Sequence, residues 1–429
     1  MHQESVMSSA LELAPPSPAC LRSSDRWLRR AVFQRLEKLE HGCVTVVDAA
    51  GAHEFGRATA ECPLRATVTI HDPNASRLLA LRGSVGVGEG YMAGEWSCDD
   101  LPSLVRIFVL NQDALLGLEK GLARLMVALF RLLNVRRDNT RRGSRANIAA
   151  HYDLGNKFYR LFLDDTLMYS AAVFPTADTA LRDASIAKND RICRKLELKP
   201  EDHLLEIGSG WGGFALHAAQ NYGCHVTTTT ISREQYQLAR ERVREAGLED
   251  RVTVLCEDYR DLGGHYDKLV SIEMIEAVGE RHLDPYFRTC AERLKPHGMM
   301  LLQAITVADQ KYEQYRNEVD FIRQYIFPGG FLPSLTAIAE ILGRATDLRV
   351  FHLEDIGAHY ATTLRHWRER FLANLDQVRA LGFPDTFIRM WEYYLCYCEG
   401  GFRERAIGTV QLLLTKPRCG REPLIPALS

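Results

Sequence analysis

With 429 residues, 46% of them hydrophobic, the chain is too long for one average domain and has ample material for a buried core. Its 53 basic and 55 acidic residues leave a formal charge of −2, which gives no global reason to invoke nucleic acid. The 11 cysteines form no C-x-x-C pair, so spacing excludes a zinc framework, and a reducing cytoplasm is the expected home for a chain read as lacking a secretory signal.

Residues 1–24 carry Pro15, Pro16, Pro18 and several serines and read as a disordered lead. Residues 25–113 read as a small α/β module. Its short β-like runs are Cys43–Val47 and Ala66–Ile70. Glycines 83, 86, 88, 90 and 94 read as a turn-rich strip before a helical stretch from Leu101.

Residues 114–146 pair an apolar helical stripe (Leu115, Leu118, Leu122, Leu125, Leu129, Leu132 and Leu133) with a strongly basic run. That run includes Lys120, Arg124, Arg131, Arg136, Arg137, Arg141, Arg142 and Arg145. Arg124 and Arg131 interrupt the apolar stripe, so no membrane span is expected. Such a segment suits an anionic membrane surface. It also suits a solvated linker after a core helix, and the segment alone does not separate the two.

From residue 147 to 429 strands and helices alternate. Strands are expected at His203–Ile207, His225–Ile231, Val252–Leu255, Lys268–Ile272 and Met299–Ile305, with further strands near Val350–Leu353 and Val410–Thr415. Helical patterns fill Gly213–Tyr222, Arg233–Ala246 and Pro285–Leu294. This is the pattern of an α/β, Rossmann-like fold with a largely parallel sheet covered on both faces. Residues 309–345 are helix-like, interrupt the alternation, and would lie over the strands' carboxyl ends as a lid.

The segment Leu204-Leu205-Glu206-Ile207-Gly208-Ser209-Gly210-Trp211-Gly212-Gly213 runs from a strand into a glycine-dense turn and on into a helix. It is not a phosphate loop, because no Lys-Ser/Thr pair follows, and its glycines miss the dinucleotide spacing. The E-x-G-x-G-x-G pattern looks like motif I of the S-adenosylmethionine-dependent methyltransferases. Further segments stand in order around it. These are His151–Asn156, Met168–Phe174, Thr230–Gln235, Glu257–Asp261, Ser271–Gly279 and Tyr325–Pro333. Together they make the chain resemble the cyclopropane-fatty-acyl-phospholipid synthase family from about Asn147 to Pro417. Gly88–Gly94 extends the likeness weakly into the front module.

The resemblance implies a seven-stranded class I methyltransferase domain and S-adenosyl-L-methionine as cofactor. Gly208, Gly210 and Gly212 would let its methionine part approach the backbone. Thr230 and Gln235 would bond its ribose or main chain, although capping of the following helix by Ser232 explains the same residues. Asp258 and Tyr259 would meet the adenine, and Tyr169 and Ser170 would cover the carboxylate end.

The implied reaction is unusual. A cis alkene of an unsaturated phospholipid acyl chain attacks the sulfonium methyl, leaving a carbocation that aromatic faces can stabilise. Tyr169, Phe174, Tyr325, Phe327, Tyr360 and Trp367 are the candidates, about half of them expected to be ordinary core. The family is thought to use a bound bicarbonate as proton acceptor. Its Glu position is Glu276 here and its Tyr position Tyr360; its Cys position is Ala171, and its two His positions are Ala277 and Gln303. Those departures leave open whether proton loss closes a ring or leaves a methyl or methylene branch. Cys398 matches a cysteine sometimes assigned to the active site, but nothing near it in sequence suggests a reactive thiolate, and a packing role is expected.

The leading expectation is cyclopropane formation by a cytoplasmic enzyme, peripheral at the inner membrane face, with a homo-oligomeric state. A branch-forming acyl methyltransferase, a small-molecule N-methyltransferase and a lipid-binding protein without activity are the alternatives.

Overall fold

The computed structural model describes residues 23–112 and 154–423. The disordered lead, except its last two residues, and the basic segment at 114–146 lie outside the described residues.

The front of the chain runs α1 (Ser23–Leu36), β1 (Gly42–Asp48), β2 (Gly51–Arg57), β3 (Arg65–Ile70), α2 (Asn74–Ala93), β4 (Trp96–Cys98) and α3 (Leu101–Leu110). Its four strands form one sheet in the order β2-β1-β3-β4, with β1 and β3 parallel. Val44, Val46, Ala66 and Val68 alternate inward along those two central strands, as period-two patterning requires. Asp100 starts α3 by accepting from Ser103 N–H at 3.1 Å, and Leu104 and Ile107 bury its inner face.

The glycine strip is not a run of turns. Glycines 83, 86, 88 and 90 lie in α2, a 20-residue helix kinked at Gly83, whose φ of 55° leaves the helical region, and Gly94 ends the helix as its left-handed cap. The glycines serve close approach instead. A Cβ at Gly88 would stand 2.3 Å from the Phe321 ring, so helix and lid could not meet there with any larger residue.

The second part contains α4 (Asn156–Arg160), α5 (Leu181–Leu196), β5 (His203–Ile207), α6 (Gly213–Tyr222), β6 (His225–Thr229), α7 (Arg233–Glu245), β7 (Val252–Leu255) and β8 (Tyr266–Ile272). It continues through α8 (Leu283–Arg293), β9 (Leu294–Val307), α9 (Asp309–Arg316), α10 (Leu335–Ala345) and β10 (Arg349–Asp355). It ends with α11 (Gly357–Ala373), α12 (Leu375–Ala380), α13 (Asp385–Arg403) and β11 (Ile407–Thr415). The seven strands are ordered β10-β11-β9-β8-β5-β6-β7, with β11 antiparallel to both neighbours. This is the Rossmann-like, seven-stranded architecture that the resemblance implies. Buried runs such as Leu204-Leu205 and Met300-Leu301-Leu302 fit a sheet covered on both faces.

The strand order reverses between β5 and β8, and ligands of open α/β sheets bind outside the carboxyl ends at such a point. The glycine turn leaves β5 there, and the Glu273–Glu276 segment leaves β8 beside it. Beside them stand α9 and a single π-helical turn at Ile322–Ile326, whereas α10 packs against α8 and β10, so only the first part of the lid expected at 309–345 reaches the site. Helix α13 packs on α11 within this part and on α2 and α3 of the front part, so the two parts share one core cluster.

Candidate active site

A cavity of about 140 Å³ opens at the carboxyl ends of β5, β6 and β7. Gly208, Gly210, Thr230, Gln235, Asp258, Tyr259, Tyr169 and Ser170 all line it. Gly210 has a φ of 48°, and a Cβ built on it would meet nothing within 4 Å, so the backbone there is open to a ligand. Gly212 stands apart from the lining: it caps α6 with a φ of 82°, and its Cβ would press on Ala239 at 3.3 Å. That glycine shapes the turn.

The polar groups around the cavity are held by short local bonds. Thr230 Oγ1 donates to Gln235 Oε1 at 2.8 Å, while Ser232 caps α7 by accepting from Gln235 N–H at 3.3 Å. Both the site and the capping explanations of these residues therefore describe the same turn. Asp258 is paired with Arg260, with Nε at 2.8 Å and Nη2 at 2.7 Å from its two oxygens. Glu206 also lines the cavity, accepting from Thr228 Oγ1 at 2.6 Å, and burial pushes its carboxyl up to about 8. Ser170 Oγ accepts from Lys188 Nζ at 3.1 Å; the lysine is fully buried, and desolvation brings it down to about 8 against the nearby carboxylates.

A second cavity of about 890 Å³, mostly apolar, reaches from the carboxyl end of β8 into the front part. Val44, Val68, Leu79 and Phe108 line its far half; Tyr169, Phe327, Tyr360 and Tyr394 line the near half. Tyr169, Glu273 and Ala277 border both cavities. The two spaces meet there.

At that junction Glu273 gathers three donors. Ala171 N–H donates to it at 2.9 Å, Gln303 Nε2–H at 2.8 Å and Tyr360 O–H at 2.7 Å. Glu276 was the residue expected to share Gln303 and Tyr360, but its Oε1 accepts from Ile305 N–H at 2.6 Å, and its Oε2 has no hydrogen-bond partner among the described residues. The reason is the path of the chain after β8: Glu273 turns back over the strand end at a φ of 47°, while Glu276 lies three residues on, in a short 3₁₀ turn facing the large cavity. Both keep some accessible surface because they face cavities, yet both lie deep enough for burial to push their carboxyls up, Glu276 to about 8.

Among the expected aromatics, Tyr169, Phe327 and Tyr360 face the large cavity. Trp367 is fully buried behind them, 5.2 Å from the Tyr169 ring centroid and 6.0 Å from that of Tyr360. Phe174 stacks on His366 at 5.5 Å, and Tyr325 bonds Glu89 of α2; neither lines either of these two cavities. Tyr394, whose hydroxyl lies 2.9 Å from that of Tyr169, is an additional wall residue. Cys398 lines the large cavity with its thiol pushed far up by burial, so it stays protonated and a thiolate role is closed to it.

Residues 139–412 match the family model of mycolic acid cyclopropane synthetase. The chain belongs to this family. It is 39% identical to the tuberculostearic acid methyltransferase UfaA1 of Mycobacterium tuberculosis over 93% of its own length and 97% of that protein's. It is 38% identical to the cyclopropane-fatty-acyl-phospholipid synthase of Escherichia coli K12, covering 82% of this chain and 88% of the relative. The mycolic acid cyclopropane synthase CmaA1, solved with SAH and CTAB, superposes with a TM-score of 0.60 at 32% identity, over 63% of this chain and 98% of that one.

The protein is therefore an S-adenosylmethionine-dependent methyltransferase of the cyclopropane synthase type. The cradle fits that cofactor by its own geometry: an open glycine backbone at Gly210, the polar side chains of Thr230 and Asp258 just past β6 and β7, and that of Gln235 in the first turn of α7. No described helix is long and apolar enough to cross a membrane. Sequence reasoning missed Glu273, Lys188 and Tyr394. Glu273 did carry a signal, since an acidic residue directly follows an apolar strand at a binding edge. Lys188 carried none, for a lysine within a polar helical pattern reads as solvated.

Proposed function

We propose that the protein methylates the cis double bond of an unsaturated phospholipid acyl chain and closes a cyclopropane ring. The junction of the two cavities carries this reading. A chamber of about 890 Å³ lies in the range of ligand pockets, and its walls are suited to a long hydrocarbon chain. Among the described residues, it meets the cofactor cradle where Tyr169, Glu273 and Ala277 border both.

S-adenosylmethionine, when bound, supplies an electrophilic methyl group. The chain's own residues do the rest. Tyr169, Phe327, Tyr360 and Tyr394 present aromatic faces to positive charge developing on the hydrocarbon, each such contact being worth about 2 kcal/mol or more when desolvated. The mostly apolar walls around these rings limit the water that can reach that cation. An amine substrate would need neither feature, which sets N-methylation aside.

A second reading, a product with a methyl or methylene branch, is favoured by the 39% identity to a tuberculostearic acid methyltransferase over nearly its whole length. The alanines at 171 and 277 and Gln303 in the implied anion site point the same way. Access to lipid is attributed to the basic segment after Gln112, a residue that itself lines the chamber. Peripheral association with an anionic membrane surface follows from that charge.

The test is lipid analysis of cells expressing the protein. Both products gain one CH2 per modified alkene, so the proton spectrum decides. High-field ring protons identify the cyclopropane and vinylidene protons the branch. Unmodified acyl chains in cells holding folded, cofactor-binding protein would reject both.

A further inference from the structure

We propose that Glu273 is the general base of this enzyme, its carboxylate standing in place of a bound bicarbonate. This rests on the acyl-chain reading above. The donors a planar anion would need at the junction are Ala171 N–H, Gln303 Nε2–H and Tyr360 O–H, and all three already point at Glu273 at 2.7–2.9 Å. A second anion there would face the Glu273 carboxylate with those donors already engaged. The residues present do not fit bicarbonate; they fit a carboxylate built into the chain.

Three further observations assign the role. Glu273 borders both cavities, whereas Glu276 borders only the apolar one. The backbone of Glu273 has a φ of 47°, a left-handed conformation that favours glycine, so a side chain is held there against local preference. Gln303 is fully buried and turned so that its N–H2 faces Glu273, because its oxygen accepts from Gln411 at 3.0 Å; it can donate but cannot take a proton.

The neighbouring charges sort the two carboxyls into different states. Burial raises Glu273, opposed by the bonds from Gln303, Tyr360 and Ala171 and by the buried ammonium of Lys188 on α5. Burial raises Glu276 to about 8, and the charge of Glu273 adds to it. Donors hold Glu273 toward the anion, while Glu276 is left neutral.

In the step, the alkene's π pair forms a bond to the methyl carbon as that carbon's bond to sulfur breaks, the sulfur keeping the pair. A cation remains on the neighbouring chain carbon. Glu273 takes one proton from the added methyl group. The freed C–H pair closes the ring onto the cation; where a hydride has first shifted from the methylated carbon to the cationic one, the same proton loss leaves that pair as a methylene double bond instead. The proton leaves Glu273 for water before the next turnover.

The experiment uses the full chain, vesicles of unsaturated phospholipid, methyl-labelled S-adenosylmethionine and carbonate-depleted buffer. The parent should turn over equally with and without added bicarbonate. Glu273→Gln should lose about a thousandfold in kcat while calorimetry shows cofactor affinity unchanged, since general-base catalysis is worth roughly that factor. Glu273→Gly suits the backbone and opens the anion site. It should bind 13C-bicarbonate in a carbon NMR titration, which the parent should not, and regain at least about tenfold in rate on adding it. Bicarbonate bound to the parent, bicarbonate stimulation of the parent, or a Glu273→Gln variant with parental kcat would each overturn the proposal. A parent that labels no acyl chain would sink the substrate reading instead, and the NMR arm would still decide whether Glu273 fills the anion site.

Discussion

Lys195 Nζ donates to the Gln411 side-chain oxygen at 2.7 Å, deep beneath the sheet. That bond orients a relay of amides. Gln411 must present its N–H2 to Gln303, which it does at 3.0 Å, and Gln303 must then present its own N–H2 to Glu273 at 2.8 Å. A lysine on α5 therefore determines which end of Gln303 meets the carboxylate at the junction. Lys195 itself is anchored by Glu354 at 2.5 Å.

Gln411→Leu should break the relay without touching either cavity, since Gln411 lines neither. Gln303 would lose the bond that sets its orientation. We expect kcat to fall about tenfold, roughly 1.4 kcal/mol, with the Michaelis constant for lipid vesicles unchanged. The acidic limb of the pH–rate profile should move to higher pH, as Glu273 loses a well-aimed donor. An unmoved profile would reduce Gln411 to packing.

Gly210→Val should weaken S-adenosylmethionine binding by at least about tenfold, or 1.4 kcal/mol, by calorimetry. The added side chain meets no protein atom, at least at its Cβ, so ligand space and the φ of 48° carry the effect. Gly208→Val is a less clean probe, because its Cβ would also press on Met274 at 3.0 Å. Unchanged affinity in folded Gly210→Val protein would remove the cradle assignment.

Glu276 gives a pH test of stability. Burial pushes its carboxyl from 4.5 up to about 8, so the fold favours the protonated form. Its contribution is complete below about 4.5 and is lost as pH rises through about 8. Glu276→Gln cannot ionise, so its melting temperature relative to the parent should climb between those limits. The slope is at most about 1.4 kcal/mol per pH unit, and smaller in proportion to the water admitted by the cavity it faces. A pH-independent difference would mean that Glu276 titrates normally.

Replacing Arg136, Arg137, Arg141 and Arg142 with Gln removes four positive charges from the basic segment. At about 1 kcal/mol per residue near an anionic surface, sedimentation with anionic vesicles should fall by at least about tenfold at low salt. The difference should shrink as salt screens the parent. Equal sedimentation at every salt concentration would leave the segment a plain linker.

The seven strands of the methyltransferase part were legible because each is a short run of strand-forming residues, and those runs end within a few residues of the strands observed; β8, β9, β10 and β11 begin earlier than expected, β9 by the most, at Leu294. The glycine strip at 83–94 was misread for a physical reason. Glycine lowers helix propensity, but packing against Phe321 overrides it, and that contact comes from a residue more than two hundred positions away. Gln411 offered a faint signal, a lone amide inside the apolar strand Val410–Thr415, whose meaning depended on Lys195 lying beneath it.

Local sequence settled what depends on neighbours along the chain: the alternation of strands and helices, the glycine turn after β5, and with it the cofactor class. Only the tertiary structure decided which carboxylate sits where the two cavities meet. Glu273 and Glu276 are three residues apart and look alike in sequence. The donors that distinguish them come from Ala171, Gln303 and Tyr360, on three separate elements. Such a convergence is set by how the Met168–Phe174 segment, the sheet and α11 pack together, which neither spacing nor periodicity along one segment encodes.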